Sequence, residues 1–458
     1  MSLIQPISEL NNYQMIRKLG ESECLYDHEV IHGNLYLTRT FLVHVKKGDI
    51  NMNLARKACS FWCSKNPLLK AQIFRSDLSK YDRYFVKYDN EILFEKFKNV
   101  KLITSEDEFE WKELMDREIV TPFDLKKDPL WRLLIIKLLN QKNLEFNYAF
   151  ILTTQHTIGD GRNIFTLGIE FLNILSKLVE DENFNLIEES KISKFSAEDL
   201  IESKKFIFGE EKNENIFDNL NRGLECFGDK LNGQHGKMEY FKIPKEKLEK
   251  LKLIMKNHSR HSKLSGIISG LIFLGQKNIM KKFNIKQQRC QFIILASVRE
   301  KLGIDNSYGG VFSSEVNQCL DFDLNINNFW DFVEKQSLEL HDSIRKNLDI
   351  KIFEKTDESW ENILQNKYDE GFLNGIISNL GVMSSTSSDK IKVVEHYVRM
   401  PAVYGRISST MFNGISTVNG TLCWAISYNE KYFTKKFQTE LIDEINGIVD
   451  TLISKGEK

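Results

Sequence analysis

Hydrophobic and polar positions along the chain alternate between two periods. "NLYLTRTFLVHVK", residues 34–46, is rich in aromatic and β-branched side chains and predicts a strand, whereas "NMNLARKACSFWCSKNPLL" from Asn51 spaces its apolar residues for a helix. Asn66-Pro67 ends that helix, because proline disfavours helical backbone in the residue before it. "AQIFRS" and "YDRYFVKY" predict a hairpin, and "DEFEWKELMDREIVTPFDL" a charged helix that stops at Thr121-Pro122. Residues 130–155 carry the clearest signal: "LWRLLIIKLL", a polar turn "NQKN", then "LEFNYAFILTTQ", two apolar runs of strand length in hairpin arrangement. After Gly161 the positions Ile164, Leu167, Phe171, Leu175 and Leu178 recur at three and four, an apolar stripe on a helix through about Val179.

From Asp181 to about Gly236 the pattern fades into acidic, poorly periodic sequence, which predicts an interdomain linker. A second series then begins: a helix near Lys245–Lys256, the apolar segment "LSGIISGLIFLGQKNIM", the strand "CQFIILASVR", a loop "EKLGIDNSYGGVF" and a helix around "NNFWDFVEKQSLELHDSI". Two strands flank the turn Asn419-Gly420, and "KKFQTELIDEINGIVDTLI" is a closing helix. Strands and helices are interleaved in both halves, which predicts an α/β (α+β) class. The halves are an N-terminal subdomain over 1–185 and a C-terminal subdomain over 237–458, joined by the linker 186–236.

At 458 residues the chain exceeds one ordinary core, and its 41% hydrophobic and 28% charged content suits a globular protein. Lysine and arginine number 63 against 64 acidic residues, so no net field draws nucleic acid or an anionic membrane. Seven cysteines, scattered and without a CxxC pair, suit a reducing compartment. The first twenty residues lack a secretory signal's apolar core and cleavage site, and no run of 18 apolar residues offers a transmembrane segment, so a cytoplasmic location is expected.

Two histidine motifs stand out. "HEVIH", His28 to His32, matches the HExxH zinc signature, in which both histidines must share a helical face. Val30, Ile31 and the following "GNLYLTRTFLVHV" favour extended chain, which separates the imidazoles by about 13 Å at strand rise. The expectation is therefore a polar entry into a strand, without metal. "HTIGDG", His156 to Gly161, lies between the end of an apolar strand and the start of a helix. An imidazole there has a pKa near working pH and suits a general base. Asp160 either points at that imidazole or turns away to fix the loop through an arginine, a choice the spacing leaves open. Gly161 leaves room for a substrate or a tight backbone, and the free amides of the following helix face developing negative charge. "GDGRNI" lacks the third glycine of a dinucleotide loop, and neither GxSxG nor GxxxxGK[ST] occurs. Cys59 and Cys63 share a helical face beside Trp62 and are expected in a core.

An ordered set of segments resembles the coenzyme A-dependent acyltransferase superfamily related to chloramphenicol acetyltransferase, most closely its alcohol acetyltransferase and condensation-domain branch. The segments are "KNPLLKAQI" from Lys65, "PFDLKKDPLWRL" from Pro122, His156 to Gly161, "SVRE" with Arg299, "NFWDFV" from Asn328, "SNLG" at Ser378 to Gly381 and "VNGTLCWAISYN", spanning about residues 12–455. The resemblance implies two chloramphenicol acetyltransferase-like domains, each a mixed, largely antiparallel sheet with flanking helices. His156 would be the base that deprotonates an alcohol or amine acceptor for attack on an acyl-CoA thioester, in a tunnel between the domains and without an acyl-enzyme. Asp160 would pair with Arg299 from the second domain and hold the loop, and Asn379 would lie near the domain interface. Acyl-CoA is then a co-substrate, with no permanently bound cofactor or metal and no nucleic-acid partner. Condensation domains place a second histidine before this motif, where Gln155 stands here, which leans toward the simpler acetyltransferase pattern. The DFGWG motif of plant members is missing. The alternatives are a carrier-protein-dependent condensation-type acyltransferase and a non-catalytic binding relative, with a zinc peptidase through His28 and His32 more distant.

Overall fold

The computed structural model describes residues 3–33, 36–46, 48–87, 97–139, 145–186, 193–208, 237–284, 289–321, 323–350, 353, 375–383, 386, 389–401, 403–404, 407–408, 411–430 and 433–456. Two compact units emerge. The first comprises Met1–Lys205 with two later segments, Ser297–Ser313 and Ser384–Met400; the second comprises Phe206–Ala296, Ser314–Met383 and Pro401–Lys458.

The first unit is built on a five-stranded sheet in the order Ile391–Arg399, Tyr36–Val45, Tyr148–Gln155, Trp131–Leu138, Val100–Ser105. Its neighbours are antiparallel except for the last pair, which is parallel. Tyr36–Val45 and Tyr148–Gln155 are buried along almost their whole length, which is why they appear as near-continuous apolar or β-branched runs and not as alternating ones. One sheet face meets the helix Gly161–Glu180, where Phe41 packs on Phe165 with ring centroids 5.6 Å apart. On the opposite face Thr40 Oγ1 donates to Met115 Sδ of the helix Glu110–Val120. Every residue of the expected stripe, Ile164, Leu167, Phe171, Leu175 and Leu178, is buried. The hairpins at residues 71–87 and 131–155 form as expected; the turn "NQKN" lies outside the described residues.

The HEVIH segment departs from expectation. It lies within a helix, Glu21–Gly33, and not in extended chain. The reason is that this helix buries charge. Glu23 receives two hydrogen bonds of 2.6 Å from Arg17, and Asp27 receives Arg75 at 2.7 and 2.8 Å together with Arg83. Glu23, Asp27, Arg17, Arg75 and Arg83 are all buried. Arg17, Arg75 and Arg83 come from the three antiparallel strands Met15–Lys18, Arg83–Lys87 and Ala71–Arg75, so ion pairs replace apolar contact between helix and sheet. Glu23 also accepts the Gly20 amide at 3.0 Å and so closes the first turn. A charged inward face produces no apolar stripe, and hydrophobic periodicity is blind to such a helix.

The second unit has a six-stranded mixed sheet in the order Ser313–Asp321, Arg289–Ser297, Gly375–Met383, Met411–Val418, Thr421–Tyr428, Lys237–Ile243. Gly375–Met383 runs parallel to both neighbours, and the last three strands are antiparallel. The hairpin turn is Asn419-Gly420, both with positive φ, as a tight two-residue turn requires. The helices Lys245–His258, Leu264–Lys282, Phe329–Arg345 and Lys435–Gly456 pack on this sheet, and the core joins Phe273 and Ile445 from helices to Phe292, Ile415 and Trp424 from strands. "LSGIISGLIFLGQKNIM" is helical and apolar nearly all round because partners cover it on several sides. Met15–Lys18, Lys237–Ile243 and Ile391–Arg399 are strands that periodicity did not single out. Residues 187–192 and 209–236, most of the expected linker, lie outside the described residues, and 193–208 includes the helix Ala197–Lys204. No described helix is long and apolar enough to cross a membrane.

Replacing Asp27 by alanine leaves Arg75 and Arg83 buried without their shared counter-charge and is expected to lower stability by about 3–5 kcal/mol. Glu249→Ala, at an exposed i,i+4 pair with Lys245, is expected to change it by less than about 1 kcal/mol. Urea denaturation midpoints of the two variants check the contrast.

Candidate active site

The sequence between the buried strand and the amphipathic helix folds as one 3₁₀ turn, His156–Ile158, followed by Gly159 and the helix cap Asp160. Asp160 Oδ1 accepts the amides of Arg162 and Asn163 at 3.0 and 2.9 Å, an N-cap that satisfies two otherwise unpaired donors of the helix. Its Oδ2 accepts Nη2 and Nε of Arg299 at 2.7 and 3.1 Å and the Phe312 amide at 3.0 Å. Of the two orientations open to Asp160, the carboxylate thus has the one turned to the arginine. Burial by itself would raise the Asp160 pKa, but the Arg299 charge and the hydrogen bonds hold it below the ordinary carboxylate value.

Arg299 is equally committed. Its Nη1 donates to the carbonyls of Asp305 and Tyr308 at 3.1 and 2.7 Å, and Nη2 donates to Gly310 at 3.0 Å as well as to Asp160. With Nε on Asp160, all five N–H donors of the guanidinium are used, and its plane lies over the Phe312 ring at 4.6 Å. Arg299 opens the short helix Arg299–Leu302, where the sequence predicts the end of a strand and the start of a loop, and belongs to the same compact unit as Asp160. The segment around it is laced onto the motif: the Gly310 amide donates to Ile158 O at 3.0 Å, and Asn163 Nδ2 donates to Asn306 O at 3.0 Å. Gly310 has φ +115°, and a Cβ there would lie 2.7 Å from Glu23 Oε1. Only glycine fits so close an approach in that backbone region.

His156 is 5% exposed. The Tyr26 ring, from the charged helix Glu21–Gly33, lies against it with centroids 4.4 Å apart and planes at 31°. Burial pushes the His156 pKa below the ordinary imidazole value; the nearby backbone polar groups and Asp160 act in the opposite sense, and the Arg39 charge adds to the lowering. Its Nδ1 is buried with no hydrogen-bond partner among the described residues, as is the side-chain amide of Gln155 beside it. The result is an enclosed imidazole not bonded to the carboxylate of its own motif, in surroundings that disfavour its charged form.

Sequence reasoning singled out His156, Asp160, Gly161 and Arg299, and these four lie in one unit around one loop. Gly161 is the half-buried first residue of the helix. The tighter glycine is Gly159, where a Cβ would lie 2.3 Å from Asn163 Oδ1 and 2.6 Å from Ile164 Cδ1. Asn379 lies in the other unit, on Gly375–Met383, where its Oδ1 accepts the Gly381 amide at 3.0 Å across a bulge. Tyr26, Gly159 and Gly310 were missed. His28 lines a cleft of about 450 Å³ with Ile31, Arg75, Lys80 and Arg83. Among the described residues no group of three or more His, Cys, Asp or Glu is placed to hold a metal ion. Cys59 and Cys63 are fully buried free thiols of the helix Met52–Lys65, as a core position predicts.

No protein-family model matches the sequence, and no curated protein matches it. Solved structures do. A trichothecene 15-O-acetyltransferase from Fusarium sporotrichioides superposes with a TM-score of 0.68 at 9% identity over 94% of each chain. Polyketide synthase associated protein 5 from Mycobacterium tuberculosis gives 0.64 at 12%, over 97% of this chain and 99% of that one. A starter condensation domain of rhizomide synthetase, in complex with C8-CoA and Leu-SNAC, gives 0.63 at 10%, over 98% and 96%. At such identities the likeness establishes the fold alone: this chain has the α/β fold seen in the trichothecene acetyltransferase and in the condensation domain.

Asp160→Asn and Arg299→Lys are each expected to lower stability at neutral pH by about 3–5 kcal/mol, since one strands a buried guanidinium and the other supplies too few donors. The Asp160 pKa is depressed in the folded state, so its contribution is present above the unfolded value of about 3.9 and disappears as pH falls through the folded one. The gap between wild type and Asp160→Asn should therefore narrow on acidification below about pH 4, as measured by denaturant titration at pH 7 and pH 3.

Proposed function

We propose that the protein transfers an acyl group from an acyl-CoA thioester to the hydroxyl of an acceptor alcohol, or to an amine, with His156 as general base. The observation that carries this reading is the division of labour in the loop. Asp160 is spent on Arg299 and three backbone amides, two of them those of the helix cap, while His156 is buried beside it with its charged form disfavoured. In this reading an imidazole nitrogen removes the acceptor proton as the oxygen or nitrogen attacks the thioester carbonyl. The tetrahedral intermediate then expels the CoA thiolate, which takes the proton from the imidazolium. No acyl-enzyme forms, and Asp160 and Arg299 keep the loop in place without exchanging protons. A thioester already contains a good leaving group, so a positioned base and orientation suffice. Support comes from the motif order in the sequence and from a fold shared with an acetyltransferase and with a condensation domain solved with C8-CoA. The second reading, transfer from a carrier-protein thioester, is favoured by the condensation domains among the similar structures.

The test is free-thiol release on incubation with acyl-CoAs of several lengths and a panel of alcohols and amines, with a pantetheine thioester standing in for the carrier-bound donor. His156→Ala is expected to reduce acceptor-dependent release by about 10²–10⁴-fold. Release that survives the substitution overturns the base assignment, and release from the pantetheine thioester alone transfers the reading to the carrier-dependent class. Because the His156 pKa is lowered, the base form persists to more acidic pH than for a free histidine near 6.5, and the acid limb of kcat/KM should fall below that value.

A further inference from the structure

The cleft of about 450 Å³ at His28 lies wholly within the first unit and shares none of its lining with the loop His156–Asp160. Its walls come from the helix Glu21–Gly33, the hairpin of residues 71–87 and residues 3–4. Two of its lining residues, Arg75 and Arg83, are only 4% and 6% exposed, and they share a single carboxylate, that of Asp27. Neither arginine bonds to another carboxylate among the described residues. Two buried cations set against one buried anion leave an excess of positive charge at the cleft wall. Such a charge is unfavourable until a counter-ion reaches it.

The two guanidiniums use their donors differently. Arg75 lays its Nε and Nη2 on both oxygens of Asp27, at 2.8 and 2.7 Å, the bidentate geometry in which a guanidinium grips a carboxylate. Arg83 engages through Nη1 alone, which donates to Asp27 Oδ2 and to the Cys24 carbonyl at 3.1 Å. Its Nε and Nη2 make no hydrogen bond among the described residues. The edge left open in Arg83 is therefore the very edge that holds Asp27 in Arg75, and it matches two oxygens of one carboxylate or phosphate. The remaining lining suits an anion with an apolar body. Lys80 adds positive charge from the hairpin turn, and Ser79 Oγ, which accepts the Tyr81 amide at 3.2 Å, keeps its own proton to donate. Ile4 and Ile31 give apolar wall. Asp77 opposes an anion, but it is exposed to screening solvent and its Oδ1 accepts the Ile7 amide at 3.0 Å. The volume is that of a small-molecule site.

We propose that this cleft binds a small organic anion, a carboxylate or phosphate monoester with a short apolar chain, gripped by the Nε–Nη2 edge of Arg83 with Lys80 as a second charge. The site does not rest on acyl transfer and can be read without turnover. Isothermal titration calorimetry on the full chain would use hexanoate and hexyl phosphate as probes, with hexanol as the neutral control. At least one anion is expected to bind, one per chain, about tenfold or more tighter than hexanol and more weakly as salt is raised. Binding of hexanoate alone or of hexyl phosphate alone upholds the site and assigns its ligand to that class. Arg83→Gln removes both the charge and the fork and should weaken binding by about 10²-fold or more. Lys80→Glu, at an exposed residue outside the Asp27 pairs, should weaken it by about tenfold. Ser79→Trp fills the cleft while leaving the Asp27 pairs intact and should abolish binding, a test that holds even where Arg83→Gln fails to fold. The proposal is overturned by wild type that takes up neither anion at millimolar concentration, by hexanol binding as tightly as the anions, or by anion binding unchanged in folded Ser79→Trp and Lys80→Glu.

Discussion

The Asp160–Arg299 pair is the constraint on which the site depends. A carboxylate that accepts five hydrogen bonds and a guanidinium that donates all five of its own are fixed in position as well as in charge. Through them the helix cap, the loop that carries His156 and the segment 303–312 share one arrangement. Ion pairs buried to this degree contribute little net stability against apolar replacements, yet breaking one is expensive. Their value here is geometric: displacing the loop breaks hydrogen bonds of both buried partners at once. His156 inherits its placement from that arrangement and its ring orientation from Tyr26.

The same device recurs through the first unit. Glu23 with Arg17, and Asp27 with Arg75 and Arg83, fasten the helix Glu21–Gly33 to a three-stranded sheet, and Glu23 reaches across to the Val311 amide at 3.4 Å. The charged helix is thereby tied to the segment that also carries Arg299, so Tyr26 and Asp160 meet His156 from elements that are themselves linked. Among the described residues the second unit shows no buried ion pair of this kind. Its core gathers Phe273, Phe292, Ile415, Trp424 and the closing helix, and the polar groups buried with them, such as Asn413 and Gln438, are uncharged.

This contrast explains which parts were legible. Where burial is apolar, periodicity carried the information: the motif helix, the hairpins around residues 71–87 and 131–155, the turn at Asn419-Gly420 and the closing helix all follow from spacing. Where burial is charged, it failed. HEVIH was assigned to extended chain because Val30 and Ile31 favour it locally, and the tertiary ion pairs of Glu23 and Asp27 override that preference. Ile391–Arg399 escaped notice because glutamate, histidine and arginine interrupt it, although Glu395, His396 and Arg399 are all buried.

The sequence by itself determined the alternation of strand and helix, the position of His156 between a buried strand and an amphipathic helix, and the ordered motifs that point to the acyltransferase fold. Only the tertiary structure decided that Asp160 turns to Arg299, and that Gly159 and Gly310 are the glycines the loop cannot replace. The physical reason is range. Apolar burial is written in the spacing of near neighbours, whereas a buried charge is defined by partners such as Asp160 and Arg299, 139 positions apart, and no local pattern records which of them will meet.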